Sequence, residues 1–179
     1  MTANGVHGLI FVSFLDYMEK RFGNGWNHSS YLASEAYPDD DFRSLVERAS
    51  TASGRPGADL LREFGIFAAT EAFAGLYPGY YVESGDTRRF LLAVEERIHE
   101  LVRKSIPGAR PPRLHVRPFG EGGVCISYTS ERGLCDLLEG LLVGTAQYYG
   151  ERFDIEQVMC MRNADLACSF LVQPRSATG

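Results

Sequence analysis

The sequence predicts an α+β fold of two lobes: a helical lobe first, then a lobe in which paired strands surround one helix. Three observations predict it. Apolar residues recur at helical spacing through the first half of the chain, and the pattern switches to two-residue alternation after Pro107-Gly108. A length of 179 residues suits one full-sized domain better than two. The helical lobe is expected over about 1–75, a further helix and the strands over about 76–172, and a short tail over 173–179.

The elements follow in order. Leu9, Ile10, Phe14, Leu15, Met18 and Phe22 lie at helical spacing, and Gly23 follows as a stop signal. Asp39 to Asp41 suit the cap of a second helix with Phe42, Leu45, Val46 and Ala49 along one face. Gly54, Pro56 and Gly57 break that pattern, and a third helix is predicted from about Asp59 to Phe73. The run from Leu76 to Tyr81 reads as a turn-rich loop because of its Pro-Gly pair. The next helix, about Thr87 to Ser105, carries Phe90, Leu91, Val94, Ile98, Leu101 and Val102. Pro111 and Pro112 then lead into a strand in which Leu114, Val116 and Pro118 alternate with Arg113, His115 and Arg117. The glycines from Gly120 to Gly123 are a hairpin signal, with Val124, Ile126 and Tyr128 alternating on the return strand. A leucine-rich helix from Leu134 to Tyr149 and two strands flanking Asn163-Ala-Asp165 complete the chain. A groove between two such lobes is a natural ligand site.

Composition excludes several classes. With 45% apolar and 12% aromatic residues the chain can build a core and is no disordered tail. A net charge of −5 argues against nucleic acid or an anionic membrane surface as partner. No apolar run approaches the ~20 residues of a membrane span. No basic region precedes an apolar stretch at the N-terminus, so a cytoplasmic location is expected. Cys125, Cys135, Cys160 and Cys168 then read as free thiols or metal ligands. Paired carboxylates in a motif, a nucleophile elbow and a phosphate loop are all missing, and no enzyme is expected. Glu95-Glu96 and Asp39-Asp-Asp41 read as solvated helix faces.

Two elements carry chemistry. His99 lies near the edge of the apolar stripe of its helix, where it is either a core histidine satisfied by a hydrogen bond or a ligand to iron facing an apolar slot. Tyr128, Ser130 and Arg132 stand at alternate positions, about 7 Å apart if the strand continues. Two hydroxyls and a guanidinium in a row suit two carboxylates held side by side; the competing reading is an ordinary polar strand end.

Taken together, the histidine helix, Ala109-Arg-Pro-Pro-Arg-Leu114, the hairpin and Tyr-x-Ser-x-Arg resemble the haem nitric oxide/oxygen-binding (H-NOX) family, the sensor domain related to that of soluble guanylate cyclase. The likeness runs from Gly8 to Leu171 and includes Glu139 to Gln147. It implies a haem b between a helical lobe and a lobe with a four-stranded antiparallel sheet. It also implies His99 as the proximal iron ligand, Tyr128, Ser130 and Arg132 on the propionates, and Pro112 pressing on and distorting the porphyrin. Oxygen-binding members place a tyrosine five positions after the arginine; here that position is Leu137, and the supporting polar positions are Phe14 and Ala68. A distal pocket without hydrogen-bond donors favours nitric oxide and carbon monoxide over dioxygen. The implied switch is a weakened bond to His99 on nitric oxide binding, with relaxation of its helix and a porphyrin flattening against Pro112. Output would pass to a separate histidine kinase or cyclic-dinucleotide signalling enzyme.

Cys160 and Cys168 flank Ala164 symmetrically, so a hairpin makes them cross-strand neighbours, and Cys135 can join them. Some family members carry zinc on three cysteines and a histidine; the matching positions are Cys135, Cys160 and Cys168, with Gln157 in place of the histidine. His28 or His115 are substitutes to consider. Zinc, a reversible thiol/disulfide switch and plain structural thiols all stay open, as does an alternative function as a thiol/zinc redox sensor with haem secondary. Cys125 points away from Tyr128 and needs no role.

Overall fold

A computed structural model of the chain describes residues 5–23, 25–26 and 30–175. The helical lobe contains α1 (Gly8–Phe22), α2 (Asp39–Ser53) and α3 (Gly57–Phe67), which runs through a π-helical turn (Ala68–Ala72) into α4 (Phe73–Leu76). Two three-residue strands, β1 (Gly5–His7) and β2 (Ala36–Pro38), form an antiparallel ribbon at its edge. The second lobe holds α5 (Pro78–Ser84), then α6 (Thr87–Val94), a π-turn (Glu95–His99) and α7 (Glu100–Ser105) as one continuous helical rod. Strands β3 (Arg113–Phe119), β4 (Gly123–Thr129), β5 (Phe153–Met159) and β6 (Cys168–Pro174) form a sheet in the order β3-β4-β6-β5, antiparallel throughout. Helix α8 (Cys135–Tyr148) joins the two lobes.

There are two cores. One is an aromatic cluster of the helical lobe, where Phe14 meets Phe42 and Phe64 edge-on at 5.7 and 5.1 Å between ring centroids. The other lies under the sheet and joins Phe90 and Leu91 of α6 to Ile126, Phe170 and Leu142. Helices α3 and α8 pack backbone to backbone. A Cβ on Gly140 would sit 2.0 Å from the Arg62 carbonyl oxygen, and one on Gly65 2.5 Å from that of Leu137. Only glycine permits that approach.

Several sequence expectations change here. The stretch read as a loop is α5, because Pro78 occupies the first helical turn, where its missing N–H costs nothing. Asp39, Asp40 and Asp41 do not cap α2; Pro38 holds that position and the three carboxylates lie in the first turn, against the positive end of the helix dipole. Leu101, expected on the apolar face, is 45% exposed, because the π-turn inserts a residue and rotates α7 relative to α6. The β1–β2 ribbon is too short to have shown any alternation. Among the described residues no helix is long and apolar enough to cross a membrane.

Candidate ligand-binding site

Between the two cores lies an apolar cleft. Leu9 and Ile10 of α1, Ala69, Phe73 and the α8 leucines wall it on one side, and the helical rod α6–α7 and the sheet wall it on the other. Its near edge is stitched across the sequence: the Gly5 N–H donates to the Gly108 oxygen and the Arg110 N–H to the Gly5 oxygen, both at 3.0 Å. That stitch sets His7 beside Arg110, Pro111 and Pro112 in the lining.

His99 ends the second π-turn and lines the cleft. Its Nδ1 is 3.0 Å from Glu95 Oε2; a carboxylate can only accept, so Nδ1 carries the proton and Nε2 remains available. Glu95 Oε2 also accepts the Leu114 N–H at 3.1 Å, and Oε1 accepts from the Arg103 guanidinium. Burial opposes ionisation of Glu95, yet the bonds from His99, Arg103 and the Leu114 N–H hold its carboxyl down at about 2. The sequence reading of Glu95 as a solvated face is therefore corrected: its side chain is 26% exposed and has three partners. The i,i+4 spacing to His99 was the available signal.

Strand β4 ends at Thr129, so Tyr128, Ser130 and Arg132 do not form a strand row. The chain turns after Tyr128, the Arg132 N–H donates to Ser130 Oγ at 3.3 Å, and Tyr128 Oη accepts the Leu134 N–H at 3.2 Å. The turn still brings all three to the cleft with His99 and Pro112. Arg132 Nε donates to Asp39 Oδ1 at 2.6 Å and its Nη1 donates to the Arg110 carbonyl, which ties the turn to the helical lobe.

Leu137 lines the cleft, whereas Phe14 and Ala68 lie fully buried in the helical core behind it. Ala69 faces the cleft instead, at the start of the first π-turn. Among the described residues, the wall from α1, this π-turn and α8 offers no free side-chain donor in the lining, since Thr145 Oγ1 already donates to the Leu141 oxygen at 2.7 Å. Tyr77 and Tyr81 also reach the cleft, and Tyr81 packs on Phe90 of the histidine rod at 4.6 Å. His7, absent from the sequence reading, brings a buried Nε2 with no partner among the described residues. An apolar slot with one free imidazole nitrogen inside and an arginine, two hydroxyls and an unpartnered imidazole in its lining fits a flat apolar macrocycle with carboxylate arms.

The thiols form a second cluster. Cys160 Sγ lies 3.9 Å from Cys135 Sγ and 4.0 Å from Cys168 Sγ. Gln157 is not part of it; its amide donates to the Met159 oxygen at 3.2 Å. Arg162 Nη2 stands 2.6 Å from Cys135 Sγ and also pairs with Asp136. Burial opposes ionisation of Cys160, but hydrogen bonds from the Arg162 backbone and its two neighbours bring it below an ordinary thiol, while burial pushes Cys168 up to about 11. Three thiols supply three of the four ligands zinc takes, and the group nearest Cys135 is a cation. His115 is exposed on β3, and His28 lies outside the described residues.

Fold and cleft together define the class: an α+β protein with an apolar ligand slot between a helical and a sheet lobe. The model of the family described as Haem-NO-binding matches residues 7–157, and the chain belongs to that family, whose members are haem-based gas sensors. A comparison with curated proteins finds no match. Among solved structures, the chain is similar to an H-NOX protein from S. oneidensis in the Fe(II)NO state, with TM-score 0.84, 20% identity, and 96% of this chain and 100% of that one covered. It is similar to the SO2144 H-NOX domain from Shewanella oneidensis in the Fe(II)CO state, with TM-score 0.82, 20% identity and coverage of 98% and 99%. An oxygen-binding H-NOX domain related to soluble guanylate cyclases, in its oxygen complex, gives TM-score 0.83 at 22% identity, with 96% of each chain covered. At these identities the likeness establishes the fold.

Proposed function

We propose that the chain is a nitric oxide sensor that holds haem b in this cleft and signals to a separate protein. Ferrous haem, when bound, would supply an iron that takes up a diatomic gas. His99 would ligate that iron through Nε2, and Tyr128, Ser130 and Arg132 would hold the propionates, as those residue types suit paired carboxylates. Pro112 would press on the porphyrin from a rigid lead-in to β3. Leu137 and Ala69 keep the opposite side of the slot free of donors, with Phe14 and Ala68 filling in behind. Nitric oxide and carbon monoxide are therefore accepted and dioxygen is not held. The observation that carries the reading is the coincidence of His99, with one ring nitrogen free, and the Tyr128–Arg132 turn in the lining of one apolar cleft.

Release of His99 would let the π-turn and α7 shift relative to β3, changing the surface offered to a histidine kinase or a cyclic-dinucleotide enzyme. Cys135, Cys160 and Cys168 give the same protein a secondary zinc or thiol redox site. Absorption spectra of the ferrous, haem-reconstituted protein test the reading. A Soret band that is unchanged in air and shifts on nitric oxide with loss of His99 from the iron is expected, and His99→Gly gives a band without the signature of histidine-ligated iron. No Soret band in the wild type, or a spectrum that changes to a stable new form in air, would overturn it.

A further inference from the structure

We propose that Glu95 is the positioning residue of His99 and sets the strength of the bond this histidine makes to iron. The inference rests on the haem reading above and deepens it. One carboxylate oxygen meets His99 Nδ1 at 3.0 Å and the other takes the Arg103 guanidinium, so the carboxylate is anchored at both ends. An imidazole that donates to a carboxylate is locked in one tautomer, with Nε2 carrying the lone pair, and gains basicity as a ligand. The backbone between the two residues is fixed as well. Glu95 and His99 are the first and last residues of the π-turn, and the Glu100 N–H donates to the Glu95 oxygen across the same turn.

A second contact gives Glu95 a wider reach. Its Oε2 also accepts the Leu114 N–H, two residues beyond Pro112. One carboxylate thus bridges the histidine helix and the strand that Pro112 leads into. Any displacement of His99 pulls on β3 through a path of two hydrogen bonds. A surface ion pair on the same helix behaves differently: Arg97 pairs with Glu83 at 2.9 Å, with both side chains about half exposed or more, and neither lines the cleft.

Two measurements test the proposal, one on the haem-free protein and one on the haem protein. In the haem-free protein, side-chain nitrogen NMR of His99 is expected to give a single Nδ1-protonated tautomer, and a mixture in Glu95→Gln and Glu95→Ala. In the ferrous haem protein, the iron–histidine stretching band is expected at lower wavenumber in both variants. Haem affinity falls on the order of 10–100-fold, the usual cost of losing a partner of a metal-binding histidine. Glu83→Gln leaves the band where it is. Should Glu95→Ala fail to fold, the conservative Glu95→Gln carries the test alone. A normal Soret band with an unmoved stretching band in Glu95→Gln overturns this proposal and leaves the haem reading standing. Failure of the wild type to take up haem overturns both.

Discussion

The two walls of the cleft are built on opposite principles. The α3–α8 wall is fixed by close approach: Gly65, Gly140 and Gly144 bring backbone against backbone, and behind it Phe14, Phe42 and Phe64 interlock. A π-turn runs through each wall, Ala68–Ala72 in one and Glu95–His99 in the other, but the histidine wall is held by ion pairs instead of close packing, with Leu101 and much of α7 facing solvent. Dense packing has few alternative arrangements, whereas a π-turn whose helix faces solvent can exchange one register for another at modest cost. The difference assigns a still wall that shapes the slot and a movable wall that reports on it.

The comparison can be broken at the still wall first. Gly140→Ala forces a methyl against the Arg62 carbonyl and is expected to cost about 3 kcal/mol. Thermal unfolding of the haem-free protein should register this as a fall of roughly 6–12 °C; an unchanged midpoint would mean that the helices slide apart freely and the wall is not rigid. Next comes the tie between the lobes. Arg132→Ala removes the bonds to Asp39 and the Arg110 carbonyl and is expected to cost about 2 kcal/mol in urea unfolding. A smaller effect comes from Glu63, which Tyr17 and Arg55 contact at 3.0 and 2.5 Å. Burial opposes its ionisation, but those partners hold the carboxyl below its ordinary value of 4.5. Its contribution is therefore complete above the unfolded carboxylate's value and is lost as pH falls through the lower folded one. Glu63→Gln should flatten the acid limb of the stability curve by lowering stability at neutral pH while leaving it nearly unchanged below the folded carboxyl's value. Smallest of all, Leu101→Ala on the movable wall should stay within about 0.5 kcal/mol of the wild type.

The same contrast explains what was legible in the sequence. Helices with an uninterrupted apolar stripe, α1, α2 and α8, could be read from spacing, and so could the β3–β4 hairpin from its glycines and alternation. The interruptions could not. A π-turn adds one residue without any composition signal, so helical spacing alone puts Leu101 inside; Ala68 follows from the family likeness, and its neighbour Ala69 is the one in the lining. Order and identity of Tyr128, Ser130 and Arg132 were visible, but not that a turn, held by the Ser130 hydroxyl, replaces the strand beneath them. Glu95 was hidden by a charge pattern typical of exposed helices. His7 was hidden because it reaches the cleft only through the ribbon and the stitch to Gly108 and Arg110.

That stitch has a consequence for how the protein comes into being. Chains are made from the N-terminus, so Gly5 and His7 leave the ribosome long before the Gly108 and Arg110 backbone that fastens them. Strand β1 is thus made well before the backbone that secures it, a long-range closure of the kind that slows folding. Until it happens, one edge of the slot stands open. Loading of a bulky flat guest is easiest in that interval, and fastening the strand behind it would turn a bound guest into a captive one.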